Sequence, residues 1–347
     1  MVVTQVSLRH YRSYASLELE LSPGVVLVTG RNGVGKTNLL ESLHLGTQGF
    51  SPRSRTDAQL IRFGEQAARV AVTGSTPSRP LEITVMLRAG QAKEARVNGA
   101  RLSSAEALRR EVATLVFTPD RLAVVKGGPA VRRAYFDRVL SRLQPAQAGL
   151  PQAYLAALAQ RNASLRRVQL RLSDRGALEP WSDQVTELGR QLVEHRRATL
   201  GELTPGFADA AAALGLVEAT LSYQGEAPAR EELEARLDRD VERGTTGLGP
   251  HLHDVVVASG GRDLRQFGSQ GEQRLAVLAL LLAEARLLVT PPLLLLDDVL
   301  SELDPDRRRI LAGLLSGRGQ TVITATHASA LPAEPAQLVE VEPGTAR

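Results

Sequence analysis

Eight consecutive residues near the start of the chain have the types and spacing that bind nucleotide phosphates. The segment 30–37 reads GRNGVGKT and matches the pattern G-x-x-x-x-G-K-[ST]. An apolar run typical of a buried strand precedes it, and a helical pattern follows it. Backbone N–H groups of such a loop close around phosphate oxygens, and the helix N-terminus adds partial positive charge. The predicted nucleotide-binding residues are Gly30, Arg31, Asn32, Gly33, Val34, Gly35, Lys36 and Thr37.

Two side chains of this loop have individual roles in that chemistry. Lys36 is expected to reach the β- and γ-phosphates, and the Thr37 hydroxyl is expected to bind Mg²⁺. The alternative is a chance glycine-rich turn, which the complete match between a strand and a helix disfavours. The sequence therefore predicts a nucleotide site.

Two adjacent carboxylates follow the apolar run Leu293–Leu296. A carboxylate at the end of a buried strand holds Mg²⁺ in many phosphoryl-transfer sites, and a second one polarises the attacking water. We assign Asp297 to the metal and Asp298 to the water. The alternative is an acid-rich helix N-terminus, which is common in proteins.

A second phosphate-binding element is predicted by the turn Gly268–Gly271, which precedes an amphipathic helix. Ser269, Gln270 and Gly271 would present N–H groups to an anion at a helix start. Two such elements would crowd a single nucleotide within one subunit. A symmetric dimer, in which each turn contacts the nucleotide of the other subunit, removes this conflict.

The composition is that of a globular protein. The chain has 347 residues, 43% hydrophobic and 23% charged, with no cysteine, which excludes disulfides, Cys-ligated zinc and thiol catalysis. The N-terminal residues lack the charged start and apolar run of a signal peptide. The longest apolar run is far shorter than the ~20 residues that span a bilayer. We therefore expect a cytoplasmic protein with no membrane partner.

Basic residues are concentrated in one part of the chain. The formal net charge is +4, and residues 51–140 contain 16 basic and 8 acidic side chains. A basic segment on a near-neutral body suggests a polyanionic partner, although coding bias toward arginine and a solvated surface are the alternatives. The candidates for contacts with DNA phosphates are Arg53, Arg55, Arg62, Arg69, Lys93 and Arg96, with Arg132 and Arg133 further along.

The order of the apolar patterns predicts an α/β body that is interrupted by helices. Strand patterns occupy the first 118 residues and return after 215, whereas residues 120–213 have helical spacing, with the longest helices expected at 151–172 and 178–200. A last buried strand is predicted at Thr321–Thr326. The two ends of the chain must therefore meet to complete one sheet.

With these motifs together, the chain resembles the ABC-type ATPase heads of the SMC and Rad50 class, and most closely the recombination-mediator family within it. The segments that carry the resemblance extend over essentially the whole chain. They are Leu8–Tyr14, Gly30–Glu41, Phe117–Asp137, Gly249–His251 with Asp254, Ser269–Arg274 and Leu294–Asp304.

The resemblance implies both a fold and an activity. The fold would be an ABC-type P-loop ATPase head of mixed sheets and helices, formed by 1–118 and 216–347, with an all-helical domain inserted at 119–215. ATP would drive a head-to-head homodimer that clamps double-stranded DNA near single-strand gaps. Slow, DNA-stimulated hydrolysis would release the DNA, and with RecR and RecO the protein would help to load RecA at single-strand gaps. Its expected location is the cytoplasm, in association with the nucleoid.

The resemblance also assigns roles to residues. Gly30–Thr37 match the Walker A loop, Ser269–Gly271 the ABC signature and Asp297 the Walker B aspartate. Ser301–Asp304 match the D-loop, which makes Asp304 a nucleotide-binding candidate. His327 follows the last strand, where ABC ATPases place a histidine that senses the γ-phosphate. The implied catalytic residues are Lys36, Asp297, Asp298 and His327.

Several positions depart from the family pattern. Most ABC ATPases carry a glutamate where this chain has Asp298, and the shorter acid is in keeping with slow turnover. The segment Phe117–Asp120 has no Q-loop glutamine, and GPHLHD stands where the family has GPHRDD. These departures leave open whether Asp120 replaces the glutamine and what Leu252 and His253 do.

Other interpretations remain at this stage. A transporter-type ABC subunit is disfavoured by the strand-rich, basic start and the large helical block. A nucleotide-dependent scaffold without useful hydrolysis is a third possibility. His251 and His253 could form a metal pair, although the sequence offers no third ligand and a structural role is favoured. His327 could likewise be a plain residue at the end of a strand.

Overall fold

The computed structural model describes residues 2–54, 56–76, 79–317 and 319–347. The chain forms two compact units. The first consists of Met1–Arg121, Ala213–Gly215 and Leu288–Arg347, and the second of Leu122–Ala212 and Leu216–Leu287. Compactness thus groups 216–287 with the helical block. The domain boundaries given above, with 216–347 in the head, stay a prediction.

A largely parallel sheet carries the motif residues of the first unit. Its strand order is β15-β14-β3-β13-β12-β8. Neighbouring strands are parallel, except that β15 is antiparallel to β14. The strands are β3 (Val25–Thr29), β8 (Thr114–Phe117), β12 (Leu293–Leu296), β13 (Thr321–Ala325), β14 (Gln337–Glu342) and β15 (Thr345–Ala346). Both chain ends meet in this sheet, as the sequence predicts.

An antiparallel sheet completes the strands of the first unit, in the order β2-β1-β4-β5-β6-β7. It comprises β1 (Val2–Tyr11), β2 (Tyr14–Glu20), β4 (Ala67–Ser75), β5 (Pro80–Arg88), β6 (Glu94–Val97) and β7 (Ala100–Arg101). Asn98 and Gly99 both have positive φ and form the hairpin turn that their sequence predicts. Alternating apolar residues place one face of this sheet in the core.

Helix α1 (Lys36–Gln48) contacts strands of both sheets and is buried on almost every side. Helices α2 (Ala105–Glu111) and α11 (Pro305–Leu315) belong to the same unit, as do 3-10 turns at Asp57–Leu60, Val299–Glu302 and Ala328–Ala330. A further 3-10 turn, Pro119–Leu122, lies where the chain passes from the first unit to the second. Leucines of α1 join one core cluster with residues of both sheets. The phosphate loop therefore begins a helix that the core holds rigidly.

The close packing of α1 on β4 leads to a testable prediction. A Cβ added at Gly46 would lie 2.5 Å from Cγ2 of Val72, which is far inside normal contact distance. We expect Gly46→Ala to lower the free energy of unfolding by about 1–3 kcal/mol. The control is Gly313→Ala on α11, which has no neighbouring described atom within 4 Å and should be neutral or stabilising by up to about 1 kcal/mol. Equal effects in urea denaturation would contradict this packing.

The second unit contains most of the helices and one small sheet. The helices are α3 (Ala123–Lys126), α4 (Pro129–Leu143), α5 (Leu150–Gln169), α6 (Glu179–Ala213), α7 (Arg230–Ala235), α8 (Leu237–Arg243), α9 (Leu264–Phe267) and α10 (Gln270–Leu287). The sheet has the order β11-β10-β9, with β9 (Thr220–Gln224), β10 (Asp254–Ser259) and β11 (Arg262–Asp263). Two further 3-10 turns lie at Pro145–Gln147 and Arg175–Leu178.

Helices α5 and α6 form the antiparallel hairpin that the sequence predicts. Arg161 on α5 donates to Ser182 on α6, and Gly189 on α6 faces the Tyr154 ring on α5. Helix α6 continues to Ala213, well beyond the predicted end at residue 200, and includes Pro205. Proline usually interrupts a helix. Here Leu203, Phe207 and Ala210 are fully buried, so tertiary packing outweighs the local preference.

Candidate functional site

The predicted chemistry is concentrated at one edge of the parallel sheet. Ala325 of β13 pairs with Thr29 of β3, and Leu296 of β12 pairs with Ile323 of β13. Because these strands are parallel, the residues after their carboxyl ends lie at the same edge. This register brings the phosphate loop, the Asp297–Asp298 pair and the segment leading to His327 to a common edge.

The phosphate loop has a backbone that only glycine adopts easily. Gly30, Gly33 and Gly35 have φ of 149°, 79° and 127°. A Cβ at Gly30 would lie 2.5 Å from the Val341 carbonyl oxygen, so β14 leaves no room for a side chain there. Tyr14 donates a hydrogen bond to the Gly35 carbonyl at 3.1 Å and supports the loop from β2. Residues 31–33 of the loop are exposed, so a phosphate can reach them.

Lys36 is held by the loop that it is expected to serve. Its Nζ donates to the carbonyl oxygens of Gly30 at 2.6 Å and Arg31 at 2.9 Å. Burial lowers the pKa of Lys36, whereas the negative charges of Asp298 and Asp297 raise it. The ammonium group therefore lies within electrostatic range of both acids. This is the position from which it would neutralise a nucleotide's phosphates.

Asp297 and Thr37 form the metal-binding candidate. The Thr37 hydroxyl donates to Asp297 Oδ1 at 3.0 Å, and the Asp297 backbone N–H donates to the Phe117 carbonyl at 2.9 Å. Burial raises the pKa of Asp297, and its hydrogen bonds and Arg53 oppose that rise. A hydroxyl and a carboxylate are hard oxygen donors that suit Mg²⁺, which commonly takes one or two protein ligands together with substrate phosphates and water. The donor set therefore fits the predicted ion.

Asp298 differs sharply from its neighbour. Its side chain is exposed, and its backbone is left-handed, with φ of 50° and ψ of 28°. The Asp298 backbone N–H donates to Thr324 Oγ1 at 2.8 Å, and its carbonyl accepts from Ser301 Oγ at 2.9 Å. The chain thus turns abruptly after Asp297. One acid stays buried at the metal-binding candidate while the next is open to solvent.

The remaining candidates of the first unit are exposed, and one of them caps a helix. Asp304 caps α11, where its carboxylate accepts from the Arg307 backbone N–H at 2.9 Å. His327 is exposed and precedes the 3-10 turn Ala328–Ala330. Asp120 is exposed in the segment after β8, which pairs with β12. The nucleotide roles of Asp304, His327 and Asp120 stay predictions.

The signature residues lie in the second unit, at the exposed start of α10. Ser269 donates to Glu272 Oε2 from both its backbone N–H and its hydroxyl, each at 2.8 Å. In return, the Glu272 N–H donates to Ser269 Oγ at 3.2 Å. These bonds lower the pKa of Glu272. A phosphate that approached Ser269 would compete with this carboxylate for the same donors.

The structure distinguishes among the predicted DNA contacts. Arg62 donates to the Ser13 carbonyl at 2.6 Å, and Lys93 pairs with Asp57 at 3.1 Å. Arg69 and Arg96 line a groove of about 350 Å³ on the antiparallel sheet, where Arg96 pairs with Glu94 at 2.8 Å. Arg55 lies outside the described residues.

Two further arginines that were candidates for DNA contact, Arg53 and Arg132, have other surroundings. Arg53 is exposed, but its charge lowers the pKa of both Glu41 and Asp297, which places it electrostatically near the nucleotide candidate. Arg132 is buried and binds the Asp254 carboxylate with two nitrogens. Arg132 is therefore committed to the interior of the second unit and is unsuited to DNA contact.

The two histidines of GPHLHD have structural partners. His251 Nδ1 lies 2.8 Å from the Tyr154 hydroxyl and its Nε2 lies 3.1 Å from the Thr246 carbonyl. His253 Nδ1 lies 2.8 Å from the Tyr223 hydroxyl, and burial together with Arg196 lowers its pKa to about 4. No metal-binding group of three acids or histidines occurs in the described ranges. These contacts support the structural role.

Sequence reasoning missed three features of the site. Thr324 bonds to Asp297 Oδ1 at 2.8 Å, yet it belongs to a strand that reads only as an apolar run. Arg12 forms an ion pair at 2.9 Å with Glu41, a buried residue of α1, which is the helix that follows the phosphate loop. The sequence also gives no sign that the charge of Arg53 acts on Asp297. The sequence signals of such an ion pair are Arg12, directly after the first strand, and Glu41, an acid within an apolar helix pattern. Neither signal identifies the partner of the residue.

Comparisons with known proteins agree on one family. Residues 2–345 match the family model described as "RecF/RecN/SMC N terminal domain". The chain is 36% identical to the DNA replication and repair protein RecF of Heliobacterium modesticaldum, over 96% of this chain and 95% of that one. It is 38% identical to RecF of Myxococcus xanthus, over 92% and 89%.

Solved structures show the same likeness. A structure of the recombination mediator protein RecF with ATP has a TM-score of 0.88 at 27% identity and covers 100% of this chain and 97% of its own. An SMC head domain from Pyrococcus furiosus has a TM-score of 0.64 at 16% identity and shows the fold alone. The ABC-type ATPase fold predicted from the sequence is thereby confirmed.

One further finding concerns membranes: none of the helices in the described part of the chain is both long and apolar enough to cross one. The full-length matches, the shared fold and the loop–carboxylate arrangement all point the same way. This chain belongs to the RecF family of DNA replication and repair proteins, within the RecF/RecN/SMC class.

Proposed function

We propose that this protein is a slow, DNA-stimulated ATPase that binds double-stranded DNA as an ATP-dependent dimer in recombinational repair. One observation carries the proposal: Lys36, Thr37 and Asp297 lie together at one sheet edge, with Thr37 and Asp297 joined at 3.0 Å. ATP and Mg²⁺ are the proposed cofactors. A similar solved structure is described as RecF with ATP, which supports ATP as the nucleotide.

The chemistry follows from the positions of the side chains. Loop N–H groups and Lys36 would bind and neutralise the phosphates, and Thr37 with Asp297 would hold Mg²⁺. A bound Mg²⁺ would supply charge stabilisation at the β- and γ-phosphate oxygens. Asp298, exposed at the same edge, would accept the proton of the attacking water. Its short side chain is consistent with slow turnover.

The signature supports an ATP-dependent homodimer. Ser269 to Gly271 are exposed at the start of α10, where N–H groups favour an anion. In the proposed dimer, each subunit's signature contacts the nucleotide that the other subunit holds. Ser269→Arg should then prevent ATP from shifting the protein from monomer to dimer in size-exclusion chromatography. Normal ATP-dependent dimerisation of that variant would contradict the dimer.

The DNA and protein partners complete the proposal. The exposed arginines of the first unit would bind phosphates without reading sequence, which suits a protein that acts at any gap. Solved structures of RecF are described as belonging to the RecFOR pathway, which supports RecR and RecO as partners. RecA loading downstream of them is part of the proposal. We further propose a cytoplasmic, nucleoid-associated location.

The test is steady-state ATP hydrolysis during a titration with double-stranded DNA at low and moderate salt. We expect a slow basal rate that rises with DNA, and an apparent DNA affinity that falls steeply as salt displaces phosphate contacts. Lys36→Met is the control, because it removes the charge that binds phosphates and should abolish both rates. A rate that is measurable but indifferent to DNA would contradict the coupling between the nucleotide site and DNA.

A further inference from the structure

The hydroxyl of Thr324 links the two acids of the nucleotide candidate. Thr324 lies on β13 and is 1% exposed. Its Oγ1 donates to Asp297 Oδ1 at 2.8 Å and accepts from the Asp298 backbone N–H at 2.8 Å. The hydroxyl therefore uses its single donor and accepts a bond as well. Because Leu296 pairs with Ile323 in the parallel ladder, Thr324 stands beside Asp297 on the neighbouring strand.

The second acid depends on this contact for its backbone conformation. Asp298 has the left-handed φ of 50°, which side chains other than glycine adopt at a cost. Such a conformation persists only where its surroundings hold it. Here the N–H of Asp298 is held by Thr324 and its carbonyl by Ser301 Oγ at 2.9 Å. The turn that separates a buried acid from an exposed one is thus fixed on both sides.

The first acid depends on Thr324 for its orientation. Asp297 Oδ1 accepts bonds from Thr37 at 3.0 Å and from Thr324 at 2.8 Å. The Thr37 hydroxyl is itself a metal-binding candidate. Thr324 lies instead on β13 and is 1% exposed, with its hydroxyl bonded to Asp297 and to the Asp298 backbone. Thr324 is therefore the contact that would hold the Asp297 carboxylate independently of the nucleotide.

We propose that Thr324 is a positioning residue for ATP hydrolysis, whose one hydroxyl sets both the metal-side carboxylate of Asp297 and the left-handed turn that presents Asp298. This inference rests on the proposed function and adds a residue to it. Thr324 would act through the two acids, because its hydroxyl contacts Asp297 and the Asp298 backbone. The same two bonds satisfy the polar hydroxyl that β13 buries at this position.

The same strand supplies a matched control. Thr321 is also fully buried on β13, and among the described residues its Oγ1 has no hydrogen-bond partner. Thr321→Val and Thr324→Val are the same nearly isosteric exchange on one strand. Only the second removes contacts with the acids. Thr324→Ser keeps the hydroxyl and serves as the conservative variant.

The experiment compares these variants in the full chain. We expect Thr324→Val to lower kcat for ATP hydrolysis by about 10–100-fold, the usual range for residues that orient metal ligands, and to change KM less. Thr324→Ser should stay close to wild type, and Thr321→Val should keep full kcat. Thermal unfolding of each variant without nucleotide shows whether it is folded. An unchanged kcat in Thr324→Val, or an equal loss in Thr321→Val, would overturn the inference.

A second measurement does not depend on hydrolysis. Binding of a fluorescent ATP analogue is titrated with Mg²⁺, starting in EDTA. Thr324→Val should bind the analogue normally in EDTA but require about tenfold more Mg²⁺ for the metal-dependent gain in affinity. An unchanged Mg²⁺ requirement contradicts the role of Thr324. If instead wild type binds the analogue but never hydrolyses ATP, the proposed function fails, and the Mg²⁺ titration still tests Thr324.

Discussion

Replacing Asp298 by asparagine is expected to stop ATP hydrolysis while leaving ATP binding intact. Asparagine has the same shape but cannot accept a proton from water, and general bases contribute about 10²–10⁴-fold to rates. Asparagine also tolerates the left-handed backbone that Asp298 adopts, so the bonds to Thr324 and Ser301 should survive. Phosphate release should therefore fall at least about 100-fold, with nucleotide affinity near wild type.

The control for Asp298→Asn is the same exchange at Asp306, an exposed acid on α11 that pairs with Arg309 at 2.8 Å. Asp306→Asn should hydrolyse ATP at the wild-type rate. Asp298→Glu, which installs the acid found in most ABC ATPases, should retain activity. Wild-type hydrolysis by Asp298→Asn would show that the exposed acid does not act as the base.

The same variant separates a clamp from a scaffold. If hydrolysis releases DNA, Asp298→Asn should accumulate as ATP-bound dimers that dissociate from DNA more slowly than wild type. This is measured by adding excess competitor DNA to preformed complexes. A protein that functions normally in repair with this substitution would instead be a nucleotide-dependent scaffold. The outcome thus decides between two readings that the sequence alone leaves open.

The sequence predicts those parts of the site that local pattern determines. Gly30–Thr37 have a fixed spacing because a tight turn must join β3 to α1, and positive φ at three glycines meets that need. Asp297 is predictable because it directly follows the apolar run Leu293–Leu296. These features depend on neighbours in the chain, so the chain displays them.

The sequence does not reveal features that depend on packing between segments far apart in the chain. Thr324 contacts Asp297 because the register of β13 and β12 places the two residues side by side. Arg12 reaches Glu41 because α1 packs on the antiparallel sheet. The predicted end of α6 at residue 200 is wrong, because the burial of Leu203 and Phe207 outweighs the helix-breaking preference of Pro205. In each case the deciding interaction joins segments that only the folded chain brings together.

Charge predicts partners less well than motifs predict sites. The basic segment contains arginines in three different situations. Arg132 is buried in an ion pair, Arg62 bonds to the backbone beside the phosphate loop, and Arg69 lines an open groove. A count of charges cannot separate them, because it takes no account of burial or of the groups that each arginine already binds. Burial therefore argues against Arg132, whereas the exposed side chains of Arg53 and Arg96 remain candidates for DNA contact.

The buried ion pair of the second unit should produce the largest change in stability. The side chains of Arg161 and Asp240 are only 1% and 2% exposed and lie 2.9 Å apart. Arg161 also donates to Ser182 and Thr246, which ties α5 to α6 and to the loop after α8. Removing one member of such a pair leaves an uncompensated buried charge. We expect Arg161→Met to lower the free energy of unfolding by about 3–5 kcal/mol.

Two variants test whether the unpaired charge causes that loss. Asn at Asp240 removes the charge but can still accept the bond from the Gly247 N–H, so Arg161→Met with Asp240→Asn should recover much of the stability. Arg175→Met breaks an exposed pair with Asp238 and should cost less than about 1 kcal/mol. The single tryptophan, Trp181 on α6, reports unfolding of this unit by fluorescence in urea. If the double variant is no more stable than Arg161→Met, the loss comes from packing and hydrogen bonds of the arginine rather than from the charge left on Asp240.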